Sequence, residues 1–212
     1  MRVPRSPHLS RISAYALLTL LALLFLVHTV VPAAGRLTNG FMAYYVAGQA
    51  LKDGEPGSRL YDDKWFAARV MTESRGTVTD IYLANPPALA VAWLPLAHLQ
   101  VATARRIWVA FSVLCLALAL WLVLLELGWS RSPWVIAGMA ALFTLPSPTR
   151  EQFSLGQMYA CLLLLHVIGW RAYLKHKDAS AGMALGTAMI LKISGWPIGL
   201  VMLLRRRWIA IG

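Results

Sequence analysis

Charge is what this sequence has least of. Of its 212 residues only 14% are Asp, Glu, Lys or Arg, against roughly 25% in a soluble domain, which excludes an ordinary water-soluble globule. Acid is scarcer than base: nine Asp and Glu stand against 20 Lys and Arg, leaving a formal charge of +11. There are only two cysteines, Cys115 and Cys161. Both lie in apolar runs, where a free thiol behaves as a small hydrophobe, so neither a disulfide framework nor a metal-binding pair is expected. No CxxC, HExxH, P-loop or GxSxG pattern occurs and no fixed-period repeat is present, so no metal or cofactor is expected.

Apolar residues, by contrast, are abundant. They make up 58% of the chain, with nine Trp, seven Tyr and six Phe, and the mean hydropathy is +0.60. Disorder, which needs low hydrophobicity, is thereby excluded. On a polar chain the excess of base would suggest nucleic acid. On an apolar one it suggests cytoplasmic loops facing anionic lipid, so the expected partner is the bilayer and not a nucleic acid.

The first apolar run covers residues 13–34 and follows Arg2, Arg5 and Arg11. Its core exceeds the h-region of a cleaved signal peptide and fits the roughly 20 residues needed to cross a bilayer. A retained anchor with its N-terminus inside is therefore expected, in preference to cleavage near Val31 and Ala33. Residues 35–82 then form a polar, non-cytoplasmic loop whose six acids (Asp53, Glu55, Asp62, Asp63, Glu73, Asp80) are balanced by six bases. Residues 41–51 of this loop read as a short amphipathic helix before turn signals at 52–57.

Four more runs follow, at 83–99, 107–127, 133–146 and 158–174, and the last ends in Arg171, Lys175, His176 and Lys177. Five runs cannot separate two cytoplasmic ends, so one does not cross. The run at 83–99 is the best to discard, because Pro86, Pro87 and Pro95 leave too little continuous helix; the run at 133–146 is the alternative. The 147–157 loop, with Glu151 and Gln157, then emerges beside the acidic loop. A final run, 182–204, lies between two basic clusters, Lys175/Lys177 and Arg205–Arg207. It is expected to break at Gly195-Trp196-Pro197 and return, with arms too short to cross fully. Residues 208–211 resemble the approach to a further span, so residues 1–212 read as a single, incomplete transmembrane domain.

Chemistry is sought first among the outer carboxylates, since a hydroxyl attacking a lipid-linked substrate needs a base at the membrane surface; the competing reading pairs them with Arg59, Lys64, Arg69 and Arg75. Gly156-Gln157 offers close backbone approach and an amide with donor and acceptor. Lys192, flanked by Ile190, Leu191 and Ile193, is an ammonium in an apolar run, hence either a site residue or a snorkelling one. Trp93, Trp108, Trp129, Trp134, Trp170 and Trp196 are expected as interface anchors. His28 and His166, mid-run and without a nearby carboxylate, are read as packing residues.

Several segments occur in an order that resembles glycosyltransferase family 87. They are 40–48 (Gly-Phe-Met-Ala-Tyr-Tyr-Val-Ala-Gly), Leu60-Tyr61-Asp62, Asn85-Pro86-Pro87, Leu94-Pro95-Leu96, Arg106-Ile107-Trp108, Gly156-Gln157, and Ala181-Gly182 to Gly186 with Leu191-Lys192-Ile193. The resemblance implies an all-α, polytopic membrane protein with a GT-C-like helical bundle and an outer loop carrying juxtamembrane helices, in the inner membrane of a bacterial cell. It implies transfer of a mannose-like or arabinofuranose-like sugar from a polyprenyl-phosphate donor to a glycan or lipid acceptor. Tyr44, Tyr45, Gln157 and Lys192 would bind substrate, with no cofactor and no metal. One departure stands out: the family's aspartate before Phe-x-x-Tyr-Tyr is Gly40 here, and neither Gly40 nor Asn39 can act as a base. Asp62, Asp63 or Asp80 is then the substitute base, or the chain is a non-catalytic scaffold or lipid-binding relative. Transport is a third reading, disfavoured because Lys192 has no acidic partner in its run.

Overall fold

The computed structural model describes residues 7–83, 85–129, 132–194 and 196–210. Arg2, Arg5 and Gly195, used above as topology signals, lie outside the described residues, as do residues 211 and 212. Within the described residues the protein is all helical, an all-α membrane protein with no strand.

The first crossing begins as α1 (Pro7–Phe25), passes through a π-helical turn (Leu26–Val30) and ends as α2 (Val31–Ala34). Pro32 explains the wide turn: it has no N–H, and its ring would crowd the carbonyl four residues back, so the helix loosens and Val31 N donates to Leu26 O instead. The second long span is α6 (Val101–Glu126). Between them lie α3 (Phe41–Lys52), a 3-10 turn (Gly57–Tyr61), α4 (Asp63–Glu73) and α5 (Pro87–Ala97). After α6 come α7 (Pro133–Thr144), α8 (Ser147–Leu155), α9 (Tyr159–Leu174), α10 (Asp178–Lys192) and α11 (Trp196–Leu204).

At 11 residues, α5 is roughly 16 Å long, too short for a hydrocarbon core of about 30 Å. It lies instead against α3 with Leu89, Ala90, Trp93 and Ala97 buried. Helices α8 and α9 meet at 113°. This places α8 beside the 35–100 unit, where Thr38 Oγ1 donates to Ser154 O at 2.7 Å.

Three contacts gather the other ends together. Trp134 Nε1 donates to Ser10 Oγ (2.9 Å), Arg171 Nε to Glu126 Oε2 (2.8 Å), and Arg207 Nη1 to Asp178 Oδ1 (3.0 Å). The chain therefore has a loop end and a basic end. The last run folds out and back: α10 reaches the loop end, Ile193 turns it with a left-handed φ of 42°, and Arg207 is back beside Asp178. The two basic clusters share one end, as the charge pattern demands.

Two expectations are corrected by burial. Helix α3 is not amphipathic: every residue from Phe41 to Ala47 is at most 2% exposed, because α4, α5 and α6 cover it from different sides. Trp93 and Trp108 are not interface anchors. They are 2% and 6% exposed, and their rings pack 4.4 Å apart in the core around α3. Trp129, Trp134, Trp170 and Trp196 are all more than two-fifths exposed, as anchors should be. Cys115 and Cys161 are free thiols in contact between α6 and α9. His166 caps its own helix turn through Leu162 O.

Trp93→Ala is expected to cost about 3–5 kcal/mol by opening a cavity against Trp108, Phe41 and Tyr44, while Trp129→Ala costs under about 0.5 kcal/mol. Unfolding of the detergent-solubilised variants measures both; equal losses would return Trp93 to the interface.

Candidate functional site

Gly40 precedes α3 with φ +77°, a conformation that favours glycine. Its amide N–H donates to Asp80 Oδ2 at 2.5 Å, and Ile81 N donates to Asp80 Oδ1 at 2.9 Å. One carboxylate is thus clamped by two backbone amides at the position where the first outer loop turns into α3. A Cβ on Gly40 would lie 2.9 Å from Leu155 O and 2.5 Å from Gln157 Nε2. The position takes no side chain without rearrangement of the α8–α9 turn.

Beside this clamp lies a cavity of about 310 Å³ lined by Gly40, Tyr44, Asp80, Asn85, Gln157 and Lys192, with Leu83 and Leu155 among its apolar walls. Four side chains converge in it. Tyr44 Oη donates to Gln157 Oε1 at 2.6 Å, while Lys192 Nζ donates to Tyr44 Oη (2.9 Å), Gln157 Oε1 (3.1 Å) and Asn85 Oδ1 (3.5 Å). The ammonium also stands 5.5 Å over the Tyr44 ring and 5.4 Å over that of Tyr159. Every oxygen it touches is neutral. Burial pushes the Tyr44 phenol well above its ordinary value, with the Asp80 charge adding to the shift, so Tyr44 stays protonated and serves as a donor.

Of the residues singled out in the sequence, Tyr44, Asp80, Gln157 and Lys192 therefore meet in one place. Asp62 and Asp63 do not join them. Asp62 caps α4, accepting from Trp65 N at 3.1 Å, and Asp63 is an exposed residue of the first turn. Tyr45 points to another side of α3, donating to Leu99 O at 2.7 Å and accepting from Gln49 Nε2. Asn85, quoted above only as part of a motif, lines the cavity. Among the described residues no three His, Cys, Asp or Glu side chains come together to hold a metal ion.

Arg105 was not anticipated, although a cation near the start of a long apolar helix carries the same signal as Lys192. It is 1% exposed. Its Nε donates to Ala33 O (2.8 Å), and Nη2 to Phe153 O (2.9 Å) and Ser154 O (2.7 Å), so one guanidinium joins the end of the first span to the end of α8. Nη1 has no partner and packs against Gly156, which ends α8 with φ +69° and where a Cβ would collide with it. Trp108 Nε1 donates to Gly156 O at 2.8 Å. Together Arg105 and Trp108 set the turn that delivers Gln157.

Comparison with known proteins adds three findings. The model of glycosyltransferase family 87 matches residues 82–212. Over 176 residues, 77% of this chain, the sequence is 28% identical to a polyprenol-phosphate-mannose-dependent alpha-(1-2)-phosphatidylinositol mannoside mannosyltransferase of Mycolicibacterium smegmatis, and the match spans 38% of that protein's length. No solved structure matches the chain.

Arg105→Met would leave the Ala33 carbonyl without its donor and remove the guanidinium bonds to Phe153 O and Ser154 O, which keep Gly156 N and Thr38 Oγ1; it is expected to cost about 1–3 kcal/mol in unfolding measurements. Arg105→Lys recovers only part of the loss, because a point-like ammonium cannot fork across two elements. Full recovery by Lys would contradict the clamp.

Proposed function

The chain belongs to glycosyltransferase family 87, and from that premise we propose that it works at a membrane surface, transferring a sugar from a polyprenyl-phosphate donor to an acceptor hydroxyl. The observation that carries this reading is the convergence of Asp80, Tyr44, Gln157, Asn85 and Lys192 on one cavity at the loop end. The acceptor oxygen attacks the anomeric carbon, the bond from that carbon to the phosphate oxygen breaks, and the phosphate leaves with the electron pair. Asp80 takes the acceptor proton. Lys192 faces the departing phosphate, where a cation bound only to neutral oxygens has charge to offer, and protonated Tyr44 supports it.

Asp80 is favoured over Asp62 and Asp63 as the base because it alone of the three lines the cavity. Its carboxylate is anchored on the N–H of Gly40, the residue that stands where the family carries its aspartate. A mannose-like sugar, a glycan or lipid acceptor and a multi-pass setting in the bacterial inner membrane complete the reading, the first of these supported by the mannosyltransferase relative. A second reading, a donor-binding relative without turnover, is favoured by one observation: both Asp80 oxygens already accept a backbone N–H.

Transfer from a polyprenyl-phosphate sugar by the full-length protein in liposomes separates the two. Asp80→Asn is expected to lower the rate by about 10²-fold or more, with Asp62→Asn and Asp63→Asn staying within about threefold of the parent. Gly40→Asp gives no gain, since its Cβ meets the Leu155 carbonyl. An undiminished rate for Asp80→Asn removes Asp80 as the base; donor binding without transfer in the parent selects the second reading.

A further inference from the structure

A second cavity, of about 320 Å³, opens at the loop end on the far side of the Ser154–Leu155 step. It lies between the last turns of the first span and α8, and Arg36, Arg150, His28, Thr29, Glu151 and the serines at 147 and 154 line it. Below it runs a narrower apolar groove of about 160 Å³ along Leu21, Leu24, Phe25 and Leu145, which shares His28, Thr29 and Arg150 with the cavity above. A polar, cationic chamber thus continues into a hydrocarbon slot on the flank of a membrane-spanning helix.

The positive charges in this chamber are only partly compensated. Three other bases of the 35–82 unit have partners, Arg69 and Lys52 with Asp53 and Arg59 over the Trp65 ring, while Lys64 and Arg75 are exposed to solvent. Among the described residues neither Arg36 nor Arg150 has a carboxylate within ion-pair distance. Glu151 offsets one of the two, so the two arginines and one glutamate of the lining leave about one net positive charge, the complement of a phosphodiester. A separate sign comes from Thr29. It is only 4% exposed, it lines both chamber and slot, and its hydroxyl meets no partner among the described residues. The residue is buried while its hydroxyl remains open to the cavity, a polar group on the wall of a space that no described residue fills. The π-helical turn at Leu26–Val30 widens the helix at this point, a deformation frequent at functional sites.

We propose that this chamber and slot bind one anionic glycerophospholipid of the surrounding bilayer, its phosphate between Arg36 and Arg150 and within reach of the Thr29 hydroxyl, one acyl chain along Leu21, Leu24 and Phe25. Arginine suits the task because its planar fork pairs with two phosphate oxygens at once. The first turn of α8, which supplies Ser147 and Arg150, adds the positive end of a helix dipole. The site is distinct from the reaction cavity and does not depend on the proposed transfer.

Native mass spectrometry of the full chain from detergent, titrated with phosphatidylglycerol, with diacylglycerol and with glycerol phosphate, tests the assignment. Phosphatidylglycerol is expected to bind at least tenfold more tightly than either fragment. Arg36→Gln with Arg150→Gln is expected to reduce that binding at least tenfold, while Lys64→Gln, a base outside the cavity, leaves it unchanged. Leu24→Trp, which fills the slot and keeps the charges, is expected to reduce phosphatidylglycerol binding and spare that of glycerol phosphate. Equal binding by the double variant and the parent would overturn the site. Binding of glycerol phosphate as tight as that of the lipid would make it a soluble-phosphate site and overturn the lipid assignment.

Discussion

The arrangement at the loop end depends on one buried cation. Arg105 stands at the start of the long α6 span and spends its fork on the carbonyls of Ala33, Phe153 and Ser154, groups at helix ends, where carbonyls lack the full set of donors from their own helix. A charge buried to this degree is tolerable only because those carbonyls, the negative ends of two helices, substitute for water. The Phe41 ring, 5.1 Å from the guanidinium carbon, closes the other side. The consequence is geometric. The end of the first span and the end of α8 are held to the same atom group, so the turn into α3 and the turn into α9 are forced side by side. Glycine at positions 40 and 156 follows from that proximity, since a side chain on either would strike the opposite turn.

Once the two turns touch, the chemistry of the cavity is largely determined. Asn39-Gly40 brings a backbone amide that can hold an anion, and Asp80 supplies the anion. Gln157, arriving from the other turn, is polarised between Tyr44 and Lys192 through a single oxygen. The cavity therefore holds a carboxylate on one side and an ammonium on the other, with neutral donors and acceptors between them. The proposed transfer, in which an acceptor loses a proton and a leaving group keeps a negative charge, calls for that separation. At Gly40 the backbone N–H, with no side chain beside it, holds the carboxylate of another residue.

Much of this was legible in the sequence, and the reasons differ by element. Counting spans against the basic clusters set 83–99 aside as a crossing, and α5 is short and lies on α3, although α7, the alternative, is a short helix as well. The same counting pointed to an out-and-back fold for 182–204, and Arg207 lies beside Asp178. Lys192 was legible because an ammonium among isoleucines and leucines has few explanations. Helix α3 was misread as amphipathic because its Tyr44 and Tyr45 count as half-polar, while their burial is decided by α5 and α6, far along the chain. Trp93 and Trp108 were misread for a related reason: being near the end of an apolar run sets a depth in the membrane but not whether a ring faces lipid or protein. That Asp80, and neither Asp62 nor Asp63, lines the cavity needed three dimensions, since all three lie in the same loop and the turn at Gly40 separates them.

The depth of Lys192 follows from the far end of the molecule. Helix α10 has 15 residues, roughly 22 Å, less than a hydrocarbon core of about 30 Å. Its start is tied to the basic end by Asp178, which holds Arg207, and by Lys175 and Lys177 before it. A helix anchored there and too short to emerge at the other side must end beneath the surface, and its last residue is Lys192. Ile193 then takes a left-handed turn and the chain goes back, so the ammonium cannot reach the headgroups by extending the helix. It meets Tyr44, Gln157 and Asn85 instead, delivered by the loop unit and by the α8–α9 turn that Arg105 holds together. Charges at the basic end thus fix how deep the cation sits, and the clamp at the loop end fixes what it finds there.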